Sequence, residues 1–526
     1  MQALLRSGLG RLTALRGNQR QRVLAIAIVL GAAGLLFSWP ENLPGLNLDE
    51  AWCFRRAQEI LDGERFLDGM NYYTGSIQQY LLAGGVWLFG RHVWVARLLS
   101  GAANVGMLVA YMQLVRGLHP GKDTWLWVGA LTMTSANFVA FSRFSTEITA
   151  LTPCFILTGL MLAQRGWRVQ RWGWAWAFAG SVLLGLAVYN HMAAVAIVAG
   201  LCLAYLVATG WRCILDPRSY AAAAGLLVGL APRLIQILRL PPGRMGPTQR
   251  LLASYKPEIW EDLLFLPSLL RGMIDGDLIY RNYAGRCLLW VVPFFSVGLG
   301  VLWVARLVSK KFVPSRRDLG LCVAILVSMV LVTFISQGLA LRYFVLPTLA
   351  VPYLLARASL ADAKGGAAPW ARRLGTGTLS AVVALQALYV GVNYFYSHLS
   401  RGGKASVFLL GKRLLETSDG FIRTDRLYAQ LVEKNIENFV AWDVIGWCLR
   451  YYDWDTAQFL SGGPPGSRGW HENEGATALI HFNGPLPIGG LEVDDFRGTQ
   501  SLELDGHQFL LESGIDHNFL VYVYRP

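Results

Sequence analysis

Apolar runs separated by short polar stretches recur along the chain up to about residue 396. They fall near 23–39, 93–115, 124–141, 147–164, 172–189, 191–210, 219–239, 287–307, 319–336, 340–358 and 375–396. A helix needs about 20 apolar residues to cross the hydrocarbon core, so the pattern predicts a polytopic α-helical membrane protein with about 11 transmembrane helices. After Tyr396 the pattern changes: long apolar runs disappear and Asp, Glu, Asn and Gly rise. Residues 397–526 are therefore read as a separate soluble α/β domain behind a transmembrane module of residues 1–396. The β-branched and aromatic content of 478–482 and 519–524 predicts strands, and 406–417 and 435–452 read as helices.

Composition agrees with this setting. The chain has 526 residues, 54% hydrophobic and 15% charged, with a mean hydropathy of +0.38. A soluble domain carries about a quarter charged residues. The net charge of +13 does not point to nucleic acid, because Arg and Lys fall in short clusters between alternate apolar runs, where they set membrane orientation. Arg6 to Arg22, Arg116 with Lys122, Arg165 to Arg171, Arg212 with Arg218, Arg306 to Arg317 and Arg357 to Arg373 mark the cytoplasmic side. The loops at 40–92, 141–147, 189–191, 240–286 and 336–342 then face outward. An odd number of spans sends the soluble tail outward too, from a cell inner membrane with the N-terminus cytoplasmic. The apolar run at 23–39 lacks a convincing small-residue cleavage site and is read as a retained helix, not a signal peptide. The seven Cys form no C-x-x-C pair and signal neither a disulfide framework nor a zinc site.

The first outer loop carries Asn47-Leu48-Asp49-Glu50, directly before Ala51-Trp-Cys-Phe-Arg-Arg-Ala-Gln-Glu-Ile-Leu61. Apolar positions at 51, 54, 57, 60 and 61 predict an amphipathic helix along the membrane surface. Asp49 reads equally as its N-cap, with Asn47 and Glu50 as a capping box, and as a general base held in one rotamer at a helix start. Asn71 to Tyr80 leads into Leu81 to Phe89, an apolar stretch too short to span. That segment is expected to be interfacial or re-entrant, with Tyr72, Tyr73 and Tyr80 lining a substrate crevice or forming an aromatic belt.

In the next outer loop, Arg143 and Glu147 stand four apart at a predicted helix start. They suit either a local ion pair or, for Glu147, a second active-site acid, since a carboxylate at membrane depth is costly. His191 reads as a satisfied interfacial histidine. The loop at 240–286 holds Arg244, Arg250, Lys256, Arg271, Arg281 and Arg286 together with several aromatics. Positive charge on the outer side departs from the rest of the chain. It suits an anionic phosphate or bulk anionic headgroups, and Arg342 beside Tyr343 at the outer end of a span invites the same two readings.

These residues carry a resemblance. An Asp-Glu pair after the first helix, Leu-Phe-Gly-x-x-x-x-x-Ala-Arg-Leu at Leu88 to Leu98, and Arg-Tyr-Phe-x-x-Pro at Arg342 to Pro347 together resemble the GT-C glycosyltransferases over roughly residues 20 to 400. The nearest branch holds the protein O-mannosyltransferases and lipid A aminoarabinose transferases. The resemblance implies an inverting transfer of a sugar from a polyprenyl-phosphate donor to a glycolipid, cell-envelope polymer or protein acceptor on the outer face. Asp49 matches the catalytic base, and Glu50 orients base or acceptor. Arg342, with one or more of Lys256, Arg271 and Arg281, would hold the donor phosphate. The resemblance requires no cofactor, and Asp49, Glu50 and Glu147 make a sparse set for a divalent metal. Thr74-Gly75-Ser76 follows Tyr73 where the aminoarabinose transferases carry Lys-Pro. The competing class is a polytopic transporter of a lipid-linked or anionic substrate, for which the chain lacks paired broken helices.

Overall fold

The computed structural model describes residues 17–41, 46, 48–69, 73–120, 122–239, 316–335, 345–360, 369–396, 409–410, 413–414, 424–436, 438–441, 458–461, 477–482, 501–504, 507–512 and 519–524. The helices begin with α1 (Gly17–Phe37), α2 (Leu48–Leu61), α3 (Ile77–Phe89) and α4 (Val93–Leu118). They continue with α5 (Thr124–Thr134), α6 (Ala136–Ser142), α7 (Leu151–Arg168), α8 (Gly173–Asn190), α9 (Ala194–Thr209) and α10 (Pro217–Leu238). Three more follow, α11 (Arg316–Ile335), α12 (Val345–Leu360) and α13 (Pro369–Tyr389), and α14 (Thr424–Glu433) lies in the tail. Among the described residues, four helices are long and apolar enough to cross a membrane: Gln19–Phe37, Val93–Leu118, Pro217–Leu238 and Arg373–Val392. Ala194–Thr209 and Val323–Val332 are shorter apolar helices. The run expected at 287–307 lies outside the described residues.

The chain divides into two compact units. One holds residues 1–38, 66–78 and 97–394. Its center is a cluster of Ile156, Ala187, Val188, Ala194, Ile197, Val198 and Ala324, drawn from α7, α8, α9 and α11 and flanked by Leu226 and Leu230 of α10. Lipid tails are as apolar as Leu, so these helices associate through close packing rather than water exclusion. Gly159 and Gly180 meet backbone to backbone: a Cβ on Gly180 would lie 2.5 Å from the Gly159 carbonyl oxygen. Gly225 and Gly229, a G-x-x-x-G pair on α10, press in the same way on the carbonyls of Phe178 and Val182 in α8.

Two expectations within this unit fail for one reason. The run 124–141 is not a single helix, because Ser135 is extended (φ −63, ψ 128) between α5 and α6. The helix expected from 147 begins at Leu151, and 143–150 is a chain of turns. Hydroxyl side chains compete for backbone acceptors at both places. Thr134 Oγ1 donates to the Ala130 carbonyl (2.9 Å), Thr149 Oγ1 to that of Phe144 (3.2 Å) and Thr152 Oγ1 to that of Glu147 (2.9 Å).

The other unit holds 39–65, 79–96 and 395–526. Its strands are β1 (Leu409–Leu410), β2 (Arg413–Leu414), β3 (Asn438–Ala441), β4 (Gln458–Ser461), β5 (Thr477–Phe482), β6 (Ser501–Leu504), β7 (His507–Leu511) and β8 (Phe519–Tyr524). Six of them form one sheet in the order β4-β3-β5-β8-β7-β6. β3 runs parallel to β4 and β5, while β5, β8, β7 and β6 pair antiparallel. The expected strands at 478–482 and 519–524 are β5 and β8. The helix expected at 406–417 is instead the antiparallel pair β1 and β2; Gly411 interrupts this apolar run and lowers its helix propensity. The helix expected at 435–452 yields to β3 in its described part, a short apolar run that periodicity alone cannot assign. A helix does form earlier, α14. It buries Leu427 and Leu431, and it ends at Asn435 in the left-handed region (φ 54), a common helix stop.

Candidate functional site

The helix α2 starts at Leu48, so Asp49 lies within the first turn rather than at the cap. Glu50 takes the third helical position, that of the acid in a capping box; Asn47 lies outside the described residues. Both carboxylates sit where the unpaired N–H groups and the positive end of the helix dipole favor negative charge. Both are buried, Asp49 at 6% and Glu50 at 0% exposure. The predicted apolar face is buried over Ala51, Phe54 and Ala57, together with Cys53, while Ile60 is half-buried and Leu61 at the helix end is exposed. On the polar side, Arg55 and Arg56 close on Glu59 at 2.7 and 3.0 Å, and Arg56 stacks over Trp52 at 4.7 Å. In the same unit, Gln79 Nε2 of α3 donates to Cys53 Sγ (3.6 Å). The 13 residues of α3 reach about 20 Å, short of a bilayer core of about 30 Å. Tyr80, Trp87, Leu88 and Phe89 are exposed on it, as an interfacial helix requires.

In the membrane unit three predicted outer segments join. Residues 66–69 and 73–76 pair as the two arms of a narrow hairpin, with Asp68 bridged to Gly75 and the Gly69 N–H donating to the Thr74 carbonyl (3.0 Å). This hairpin adds edge-on to the turn after α8. Thr74 bridges His191, the Gly75 N–H donates to the Asn190 carbonyl and the Met192 N–H to that of Tyr73, each at 3.0 Å. The Tyr73 and His191 rings meet edge to face at 5.5 Å. The third segment brings Glu147, 2% exposed. A Cβ on Gly69 would strike the Gly75 carbonyl oxygen at 2.5 Å and lie 3.1 Å from Glu147 Oε1, so the hairpin pairing requires glycine here and the carboxylate lies beside it. The Asn190 side-chain amide donates to the Glu147 carbonyl (2.9 Å) and to Thr152 Oγ1 (3.0 Å), which fixes the turn that carries the acid.

Arg143 and Glu147 do not share a helix: Arg143 follows the end of α6 and Glu147 lies in the turns before α7. The Arg143 guanidinium donates to the carbonyls of Leu35 and Ser38, to that of Leu36 at 3.4 Å and to Ser38 Oγ at 3.3 Å. It thereby satisfies the C-terminal end of α1, whose last carbonyls have no partner within the helix. Tyr72, Tyr343, Arg342, Lys256, Arg271 and Arg281 lie outside the described residues.

Arg233, inside the expected span 219–239, is a further charged residue at this end of the bundle that the apolar pattern does not single out. Its signal was available, as a guanidinium at membrane depth is costly and rarely idle. It is 6% exposed and donates to the Tyr189 carbonyl (2.9 Å) and to Gln236 Oε1 (2.5 Å). Among the described residues, no group of three or more His, Cys, Asp or Glu side chains is arranged to hold a metal ion.

No family model and no curated protein matches the sequence. Solved structures do match the fold. ArnT from Cupriavidus metallidurans bound to undecaprenyl phosphate superposes with a TM-score of 0.56 at 12% identity, over 97% of this chain and 98% of that one. The apo state of the same protein gives 0.53 at 13% identity, over 95% and 97%. Both alignments run over nearly the whole of each chain. The chain is a multi-pass α-helical membrane protein with the fold of ArnT.

Proposed function

We propose that the protein is an inverting glycosyltransferase that moves a sugar from a polyprenyl-phosphate donor to an acceptor on the extracytoplasmic face of the cell inner membrane. The observation that carries this reading is the end-to-end likeness to ArnT, whose structure holds undecaprenyl phosphate. It favors a transferase over a transporter.

The chemistry follows from residue types. Asp49 at the start of α2 takes the proton of the acceptor hydroxyl or amine as it attacks the anomeric carbon, and Glu50 supports the base and the helix end. The bond from the anomeric carbon to the phosphate oxygen breaks on the opposite face, inverting the center. The electron pair stays with the phosphate, which leaves without a proton, so no general acid is needed. Arg342, Lys256, Arg271 and Arg281 are proposed to stabilize the charge on that phosphate. Glu147, held against the Tyr73 hairpin, is proposed as a second acid of the site. In this reading residues 1–396 form the catalytic module and 397–526 an extracytoplasmic appendage.

The test is transfer from polyprenyl-phosphate sugars by purified protein in detergent. Asp49→Asn is expected to lower turnover by about 10³-fold or more while elution volume and donor binding stay as in the wild type, since loss of a catalytic base costs at least about 10²–10⁴. Unchanged turnover refutes the assignment of the base.

A further inference from the structure

The buried residues of α10 are Gly225, Gly229 and Arg233, at four-residue spacing on one stripe. The two glycines bring the backbone of α10 against α8. At the next position the stripe carries a guanidinium rather than a third small residue. Its ligands lie on α8 and on its own helix: the Tyr189 carbonyl at 2.9 Å and Gln236 at 2.5 Å. The charge also sits 5.6 Å over the Tyr189 ring, a cation–π distance.

Tyr189 passes this hold to the hairpin. Its hydroxyl donates to the Leu67 carbonyl (2.7 Å), accepts from the Ser76 N–H (3.4 Å) and lies 3.0 Å from Ser76 Oγ. Leu67 and Ser76 are the two ends of the hairpin, so one phenol clasps both strands. A Cβ on Gly75 would strike the Tyr189 carbonyl oxygen at 2.5 Å, which leaves that oxygen lodged between the hairpin and Arg233. The hairpin in turn holds Tyr73 and lies against Glu147.

We infer that Arg233 is a positioning residue for the transfer reaction, acting through Tyr189 to fix the hairpin arms 66–69 and 73–76 against Glu147. The inference rests on the transferase reading. Arg233 itself need not touch substrate, since its effect is carried by the hydrogen bond and the stacking it gives Tyr189. Displacing a site by about 1 Å from a distance can cost about 10²-fold in rate.

The experiment compares wild type with Arg233→Met, Arg233→Lys and Tyr189→Phe, the last keeping the ring under the guanidinium but removing the clasp. Transfer kinetics with a polyprenyl-phosphate sugar are measured alongside hydrogen–deuterium exchange of peptides covering 66–76 and 189–193. Arg233→Met and Tyr189→Phe are expected to lower kcat by about 10- to 100-fold with donor KM changed less than about threefold. Exchange should rise in both peptides but not in α7 or α9, and Arg233→Lys, which keeps a donor for the Tyr189 carbonyl, should recover part of kcat. Unchanged kcat and exchange in an otherwise active series overturn the inference. So does a raised donor KM at constant kcat, which would make Arg233 a donor-binding group. If wild type transfers no polyprenyl-phosphate-linked sugar, the transferase reading falls, and the catalytic part of the inference with it; unchanged exchange in that case removes the clasp as well.

Discussion

Arg143 and Glu147 stand four residues apart and do different work. Arg143 is 1% exposed and spends its guanidinium on the carbonyls that close α1, so Arg143→Met is expected to be a stability variant. Losing charge-assisted hydrogen bonds to buried carbonyls costs about 2–4 kcal/mol, to be read as a lowered midpoint in a fluorescence thermal ramp. Glu147→Gln keeps shape and hydrogen-bonding capacity and should leave that midpoint within a few degrees. Its expected effect is a loss of transfer of about 10²-fold or more; full activity would remove Glu147 from the site. Asp49, Glu50 and Glu147 stand out as candidates in the sequence because acids flanking apolar runs break the local pattern. Arg233 does not stand out by hydropathy, because its charge and that of Arg218 among the 22 residues of α10 barely move the mean of the window.

At the scale of elements, the glycines of α7, α8 and α10 separate interior helix faces from lipid-facing ones. Gly229 lies where a Cβ would approach the Val182 carbonyl oxygen to 2.2 Å, and backbone cannot rotate aside as a side chain can. Gly229→Leu is therefore expected to abolish recovery of monodisperse protein from the membrane, with Gly229→Ala intermediate. Gly34→Leu on α1, where nothing lies within 4 Å, should express as wild type. Equal yields from the Gly229 and Gly34 leucine variants would refute the close approach of α8 and α10. Helix positions were largely readable, since apolar length fixes them. The breaks at Ser135 and across 143–150 were not, because hydroxyl-bearing residues carry no hydropathy signal and disrupt the ladder only through hydrogen bonds. In the tail, strand and helix were confused where runs were short and pairing, not periodicity, decides.

For the whole molecule, the packing of helix ends agrees with the charge pattern. Arg165 stacks on Trp176 at 4.4 Å and Arg218 donates to the Trp167 carbonyl (3.2 Å). These residues lie at the ends of α7, α8 and α10 remote from Glu147, Asn190 and Arg233. A reporter enzyme active only outside the cytoplasm is expected to be active fused after residue 526 and inactive inserted at 169–172; the reverse would invert the proposed orientation. The sequence by itself determined the membrane class, most helices, the acidic pair at the start of α2 and the strands at 478–482 and 519–524. Each of these depends on local sums of transfer free energy or on local periodicity. Tertiary structure alone decided that Ser76 meets Tyr189 across 113 residues, that Gly69 lies against Glu147, and that Arg143 serves α1 rather than a helix of its own. Such contacts depend on which helices approach within backbone distance, and no local window of residues encodes that.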